Sequence, residues 1–353
     1  MPSDNAISVA ATLYETGYFD YSEPNFVSSC SLLGYEDNPE YYNQWAIHND
    51  STNINLSPAW NITTGDSRIK VAVLDVGIDL NHADLQANLL EGYDAVLDDI
   101  ATYATNGDIE NSRDFHGTCC AGIIGAENNN VCVVGVAHTS KIISVRVGYT
   151  AKINTKDINP PGGTHWEKRM RTDWFINGLF HTCYEDSVDI VNCSLGFGSG
   201  SEALEDAIEE VTVNGREGKG CIVIISSGNT YDQPTSILRD TLHALAKYPN
   251  VISVGSITPC GKRVEYGLFC GYNSNYNSCF GDSLDVMAPG IGIPTTSIYD
   301  DCIEFFKGTS SAARLVVRPG GKLIVDDGTL TSACPGEMWQ GFSLSNEELG
   351  MSL

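Results

Sequence analysis

Apolar residues gather in short runs that recur through the middle of the chain. Residues 69–74 are almost continuously apolar and end in Asp75-Val76-Gly77, and residues 141–147, 189–194, 220–225 and 251–255 repeat the type. Strands apolar on both faces belong inside parallel sheets. Between them the spacing of apolar positions changes to that of a helix. Residues 174–186 read as one helix. Ser201 can cap a second, whose Ala203, Leu204, Ala207, Ile208 and Val211 share a face and which Gly215 ends, and residues 235–247 read as a third. Strands alternating with helices predict an α/β fold: a mostly parallel central sheet covered by helices on both faces, with ligands at the carboxyl ends of the strands. Asp75, Ser194 and Asn229 stand at or just beyond such ends.

The flanks follow other patterns. Residues 5–18 read as a short helix ending at Gly17, residues 19–24 as an alternating strand, and the Asn/Ser/Asp/Pro-rich stretch 25–66, with Tyr41, Tyr42, Trp45 and Trp60, as an ordered arm across a domain surface. Near the other end Pro319-Gly320-Gly321 stops any helix. Flanked by apolar residues 315–317 and 322–325, it reads as a hairpin.

Composition narrows the classes. The 353 residues hold 45 acidic against 20 basic side chains, a formal net charge of -25, which argues against a nucleic-acid surface and allows bound cations. No apolar run approaches membrane-spanning length, and Met1-Pro2-Ser3-Asp4-Asn5 shows neither the basic nor the apolar region of a signal peptide. Twelve cysteines are many, yet their spacing fits no zinc pattern. Cys260, Cys270 and Cys279 crowd one loop, where a disulfide is open and its connectivity is not readable.

The candidate chemistry lies along the predicted rim. Gly308-Thr309-Ser310 places a serine hydroxyl on a tight turn before a helix. A serine is a weak nucleophile and needs a base within hydrogen-bond reach, which in turn needs a carboxylate to orient it and stabilise the imidazolium. Ser310, His116 and Asp75 supply these types, although separations of 41 and 194 residues mean that only the fold can assemble them. Ser226-Ser227-Gly228-Asn229 adds an amide on a turn after a buried strand, suited to a developing oxyanion.

Taken together, these residues resemble the subtilisin-like serine proteases, or subtilases. The stretch 71–85 (VAVLDVGIDLNHADL) is similar to the family's Asp motif, with Val76 for its usual Thr and Ala83 for its usual Pro. His116-Gly117-Thr118 resembles the His motif, Ser194-Leu195-Gly196 the substrate-binding strand, Ser226 to Asn229 the oxyanion turn, Gly308 to Ala312 the Ser motif and Leu284 to Gly290 the segment before it. The resemblance implies a serine endopeptidase of subtilisin-like three-layer fold, with Asp75, His116 and Ser310 catalytic and Asn229 in the oxyanion hole. Peptide or protein substrate would lie extended along Ser194-Leu195-Gly196. Its P1 side chain, the one before the scissile bond, would sit near Ser226, Ser227 and Gly228, whose small walls suggest large apolar or unbranched residues.

The resemblance also implies a structural calcium ion, with Asp84 and Asn129 giving side-chain oxygens and the loop 127–131 carbonyls, although Cys132 stands for a usual Gly. It makes residues 1–30 the C-terminal remnant of a propeptide, a partner of the enzyme it precedes, with processing between Phe26 and Asp37. Residues 31–313 become the catalytic domain without its terminal helices, and 314–353 a divergent tail. An extracellular or cell-envelope monomer is the corresponding expectation. The tail is where the chain departs, because Ala313-Arg314 stands where the family places a residue and a Pro before a long buried helix. Two alternatives follow from it: a protease fold of impaired or no activity acting as a binding module, and, from a short likeness of the Pro-Gly-Gly hairpin, an S-adenosylmethionine-dependent methyltransferase.

Overall fold

The apolar run before Asp75 forms β1 (Lys70–Asp75), buried from Val71 onward. After it come β2 (Leu89–Asp94), helix α1 (Phe115–Gly125) and β3 (Lys141–Arg146), then an antiparallel pair, β4 (Gly148–Asn154) with β5 (Thr164–Met170). Helix α2 (Thr172–Phe180), β6 (Ile190–Cys193), α3 (Glu202–Gly218), β7 (Ile222–Ser226), β8 (Ile252–Ile257) and β9 (Val286–Pro289) follow. A second antiparallel pair, β10 (Ile293–Thr296) with β11 (Cys302–Phe306), leads into α4 (Thr309–Leu315). The computed structural model describes residues 12, 15–18, 37–48, 52–54, 56–96, 106–154, 164–196, 200–231 and 242–316.

Seven strands make one sheet in the order β9-β8-β7-β6-β1-β3-β2, and every neighbouring pair is parallel. Alternation along the strands sorts side chains to two faces. Ala72, Leu74, Ile143, Val145, Val191, Cys193, Val223 and Ile225 share one core with Trp174, Phe175 and Leu179 of α2 and Leu204, Ala207, Ile208 and Val211 of α3. On the opposite face the Asn192 side chain donates to the Ala313 carbonyl of α4 at 3.2 Å. Helix α1 is buried from Gly117 to Gly125 and apolar on every side, as a helix enclosed by other elements must be. The result is the α/β three-layer arrangement predicted from the strand pattern.

Details differ from the sequence reading. Ser201 caps α3, its hydroxyl accepting from Leu204 N at 3.3 Å, and Gly215 leaves helical geometry at ψ 165° as expected. The single helix expected over 174–186 is α2 followed by a π turn, His181–Glu185. The helix expected over 235–247 falls partly outside the described residues. Its described end holds only a 3-10 turn, Ala244–Lys247. The reason lies in His243, which is extended (ψ 151°) because its amide donates to the Ser227 carbonyl at 3.0 Å instead of entering a helix.

Disulfides join Cys132 to Cys302 and Cys260 to Cys270, and the Cys279 side chain is buried. The chain divides into two units, Met1–Asp37 and Asn38–Leu353. In the first, Tyr18 N donates to Thr16 Oγ1 at 3.4 Å. Most of the expected helix over 5–18, all of the strand over 19–24 and the proposed processing stretch up to residue 36 lie outside the described residues, as does the Pro-Gly-Gly hairpin beyond Val316; Leu315, expected in its first arm, instead ends α4, which continues from the Ser310 turn. Among the described residues no helix is long and apolar enough to cross a membrane.

Candidate active site

The strand order reverses between β6 and β1, where parallel sheets open a crevice at the carboxyl ends of their strands. Asp75 ends β1 inside this crevice, fully buried, with Oδ1 accepting from Val76 N at 2.9 Å. Gly77 follows with φ 105°, and Gly117 at the start of α1 comes so close that a Cβ on it would meet the Gly77 carbonyl oxygen at 2.1 Å. Only glycine permits that contact. It seats the first turn of α1 on the end of β1, and His116 Nδ1 lies 2.9 and 2.8 Å from the two Asp75 carboxylate oxygens. Phe306, at the end of β11, meets the imidazole edge to face, with centroids 5.6 Å apart.

Burial alone would raise the Asp75 pKa, but the imidazole and the cations Lys168 and Arg314 outweigh it and hold the carboxyl well below the usual range. His116 is lowered to about 4, first by burial, with Lys168 and Arg314 adding to that and Asp75 opposing it. A turn further along α1, the Cys120 thiol donates to the His116 carbonyl at 2.6 Å, and burial raises its pKa well above the usual value. That thiol is packing beneath the imidazole, not a nucleophile.

Ser310 enters from the other side. Gly308 takes φ 127°, a conformation closed to side chains with little strain, and the chain turns there into α4. The Ser310 hydroxyl donates to the Ser194 carbonyl oxygen at 3.3 Å, and among the described hydrogen bonds none joins it to His116. Asn229 stands on the turn after β7. Its Oδ1 accepts from Thr309 N at 3.0 Å and Thr309 Oγ1 at 3.3 Å, which fixes the amide and leaves Nδ2 as the outward donor beside Gly308. Gly228 N donates to Thr309 Oγ1 at 3.1 Å, tying the same turn to α4.

Ser194, Leu195 and Gly196 prolong β6 beyond its last pairing; Ser226 ends β7, paired with Val254, and Ser227 and Gly228 prolong that strand in turn. The structure thus gathers all ten residues that sequence reading placed at this rim. It also adds two that the sequence reading did not place. Arg314 on α4 is fully buried, its Nη2 3.4 Å from Asp75 Oδ2 and its Nη1 donating to Ser194 Oγ at 2.6 Å and to the Ser310 carbonyl. His243 lies between the two strand extensions. A single sequence gives no signal for either, because each depends on partners distant along the chain.

The two residues named for a metal meet elsewhere. Asp84 is fully buried; its Oδ2 accepts from Val133 N at 3.1 Å, whereas Oδ1 has no hydrogen-bond partner among the described residues. Burial first, then the charge of Glu127, lifts its pKa to about 7. The Asn129 amide faces it from the loop 127–131, which Asn38 ties down through Asn128 Oδ1 (2.6 Å) and Asn130 N (3.0 Å).

Residues 66–324 match the subtilase family. The chain belongs to that family. Among similar subtilases and proteases, the subtilisin of Bacillus pumilus is 30% identical over 267 residues, covering 76% of this chain and 80% of that one. The extracellular protease of Xanthomonas campestris pv. campestris is 30% identical over 72% of this chain and 42% of its own length. For the thermophilic serine proteinase of a Bacillus sp. the figures are 29%, 88% and 64%, so the chain spans less than two thirds of these last two relatives. A solved structure described as proteases from Pseudoalteromonas arctica has a TM-score of 0.59 at 26% identity, covering 79% of this chain and 84% of that one. The subtilase match runs past the Pro-Gly-Gly segment, and neither alternative drawn from the tail finds support in these comparisons.

Proposed function

We propose that this subtilase is a serine endopeptidase and that the rim described above is its active site. The observation that carries the reading is the His116 imidazole, held through Nδ1 by both oxygens of buried Asp75 where Ser310 and Asn229 converge. In this mechanism His116 Nε2 takes the Ser310 proton as the hydroxyl oxygen attacks the scissile carbonyl. The Asn229 Nδ2 and Ser310 N–H groups donate to the oxyanion, and His116 then gives its proton to the leaving amine. Water hydrolyses the acyl-enzyme by the same steps in reverse order. Ser310 must turn from the Ser194 carbonyl toward His116, and such catalytic hydrogen bonds commonly tighten only when substrate arrives. Substrate adds a strand alongside Ser194-Leu195-Gly196 through backbone hydrogen bonds.

The test is covalent. A fluorophosphonate is expected to modify Ser310, seen by peptide mapping, and to abolish peptide hydrolysis in proportion. Modification elsewhere, or none, would refute the assignment.

The Asp84 cluster fits calcium: a buried carboxylate oxygen without a hydrogen-bond partner among the described residues stands beside Asn129, whose Oδ1 accepts from Val131 N at 3.0 Å and keeps a second lone pair, and beside a tight loop with carbonyl oxygens, the donors a hard cation takes. Asp84 and Asn129 would hold it with carbonyls of the loop 127–131. A bound ion would fill the place of the missing partner and cross-link the loop to the turn after β1. Saturating calcium against chelator is expected to raise the melting temperature by roughly 5 °C, since ligand at about 100 times its Kd adds about 2.7 kcal/mol. Asp84→Asn should remove most of that difference, and equal melting with and without chelator in the unmodified chain would exclude the site. Two disulfides suit an oxidising, extracellular or cell-envelope setting. We also propose a monomer, released from its own residues 1–30 acting as a propeptide remnant.

A further inference from the structure

The proposed P1 walls are the two strand extensions ending in Gly196 and Gly228, and the space between their glycines is not empty. A Cβ on Gly196 would fall 1.7 Å from His243 Nδ1 and 2.3 Å from Cε1. One on Gly228 would fall 2.3 Å from Cδ2 and 2.6 Å from Nε2 of the same ring. The imidazole is therefore in contact with both glycines, one edge against each. Its own amide donates to the Ser227 carbonyl at 3.0 Å, which fastens the ring to the second wall. Nδ1 is buried against Gly196 with no hydrogen-bond partner among the described residues. A polar ring atom left unpaired is costly, so the ring is not held here by polar bonding of its Nδ1. Burial also lowers its pKa, which favours an uncharged ring with no attraction for an acidic or basic P1 side chain.

Resting on the serine endopeptidase reading above, we propose that His243 is the specificity residue of this site. Its ring takes the volume that a deep P1 pocket would offer and limits the enzyme to substrates with small P1 residues: Gly, Ala or Ser. This revises the large apolar preference expected from the small wall residues alone. Those walls are small, but the imidazole stands between them. A Phe or Leu side chain at P1 would have to displace it, while a methyl group fits in front of it.

The experiment uses the full chain and matched peptide anilides that differ only at P1, Ala against Phe. The unmodified enzyme is expected to cleave the Ala substrate with kcat/KM at least about tenfold higher. His243→Ala should reverse the order, because opening a cavity for an aromatic ring is worth roughly ten- to a hundredfold in discrimination. His243→Asn, which keeps a planar group of intermediate size, should fall between. Should His243→Ala fail to fold, the unmodified enzyme alone decides, through inactivation rates with peptidyl phosphonates bearing Ala or Phe at P1. Equal or faster reaction with Phe, in an enzyme whose Ser310 is labelled by a small fluorophosphonate, overturns the pocket and leaves the endopeptidase reading standing. No labelling of Ser310 overturns the endopeptidase reading, and this inference with it.

Discussion

Ser310→Ala is expected to lower kcat for peptide hydrolysis by about a millionfold while leaving KM within a few-fold. In a site whose nucleophile, base and orienting carboxylate act as one unit, removing the nucleophile costs about as much as removing all three. His116→Ala should therefore come close to it, and Ser310→Ala/His116→Ala should be no worse than either alone. The residual rate, roughly 10³- to 10⁴-fold over water, would come from Asn229 and from binding along Ser194-Leu195-Gly196. Stability separates lost chemistry from lost structure. The Ser310 hydroxyl makes one long bond, 3.3 Å to the Ser194 carbonyl, so its removal should change unfolding free energy by no more than about 1 kcal/mol. Active-site titration and calorimetry on one preparation check both statements. A variant that melts normally and retains even a thousandth of the activity would exclude Ser310 as nucleophile.

What could be read in the chain, and what could not, divides along physical lines. β1, β3, β6, β7 and β8 were legible because strands buried on both faces are written as unbroken apolar runs. β2 was not: it lies at the sheet edge with Leu90 and Glu91 exposed, so no such run marks it. β9, also at an edge, ends in Pro289, a residue that reads against strand. Asp75, His116, Asn229 and Ser310 could be placed together at the rim because each stands next to a turn whose glycine has a geometric duty, as at Gly77 and Gly308. Partnerships across long separations left no local trace. Cys132 meets Cys302 at a separation of 170 residues, and His243 meets Gly196 and Gly228 only through the packing of strand ends. Arg314 read as a charge at the start of a divergent tail. Nothing near it in sequence announces that it turns inward to a carboxylate 239 residues away.

Arg314→Met is expected to shift the acidic limb of the kcat/KM profile upward by about one pH unit and to raise the plateau above it about tenfold. Arg314 is buried with a full charge, which is tolerable only because it faces Asp75 Oδ2 at 3.4 Å, Ser194 Oγ and the Ser310 carbonyl. That arrangement sets two demands on one carboxylate. In the proposed mechanism Asp75 stabilises the imidazolium that forms when His116 takes the serine proton, yet part of its charge is already balanced by the guanidinium. Burial, Lys168 and Arg314 together hold His116 at about 4, below the value at which a base works best near neutral pH. As a general scale, two unit charges about 6 Å apart at an effective dielectric constant of about 20 interact by roughly 3 kcal/mol, or two pK units before screening. We take half of that, because Arg314 contributes less than burial and Lys168. The sign follows from the role: the base acts when neutral, so a raised pKa brings the active form in at higher pH and makes it a stronger acceptor once present. Methionine keeps most of the volume and Asp75 retains His116 and Val76 N as partners, but losing one member of a buried ion pair costs about 3 to 5 kcal/mol, so the profiles are taken at a temperature where calorimetry shows the variant folded. Arg314→Lys is the control. It keeps the charge and loses the planar fork, and its acidic limb should stay where it is. Profiles from pH 3.5 to 9 decide the matter. If Arg314→Met lowers activity without moving the limb, Arg314 acts by holding α4 in place and its charge does not set the basicity of His116.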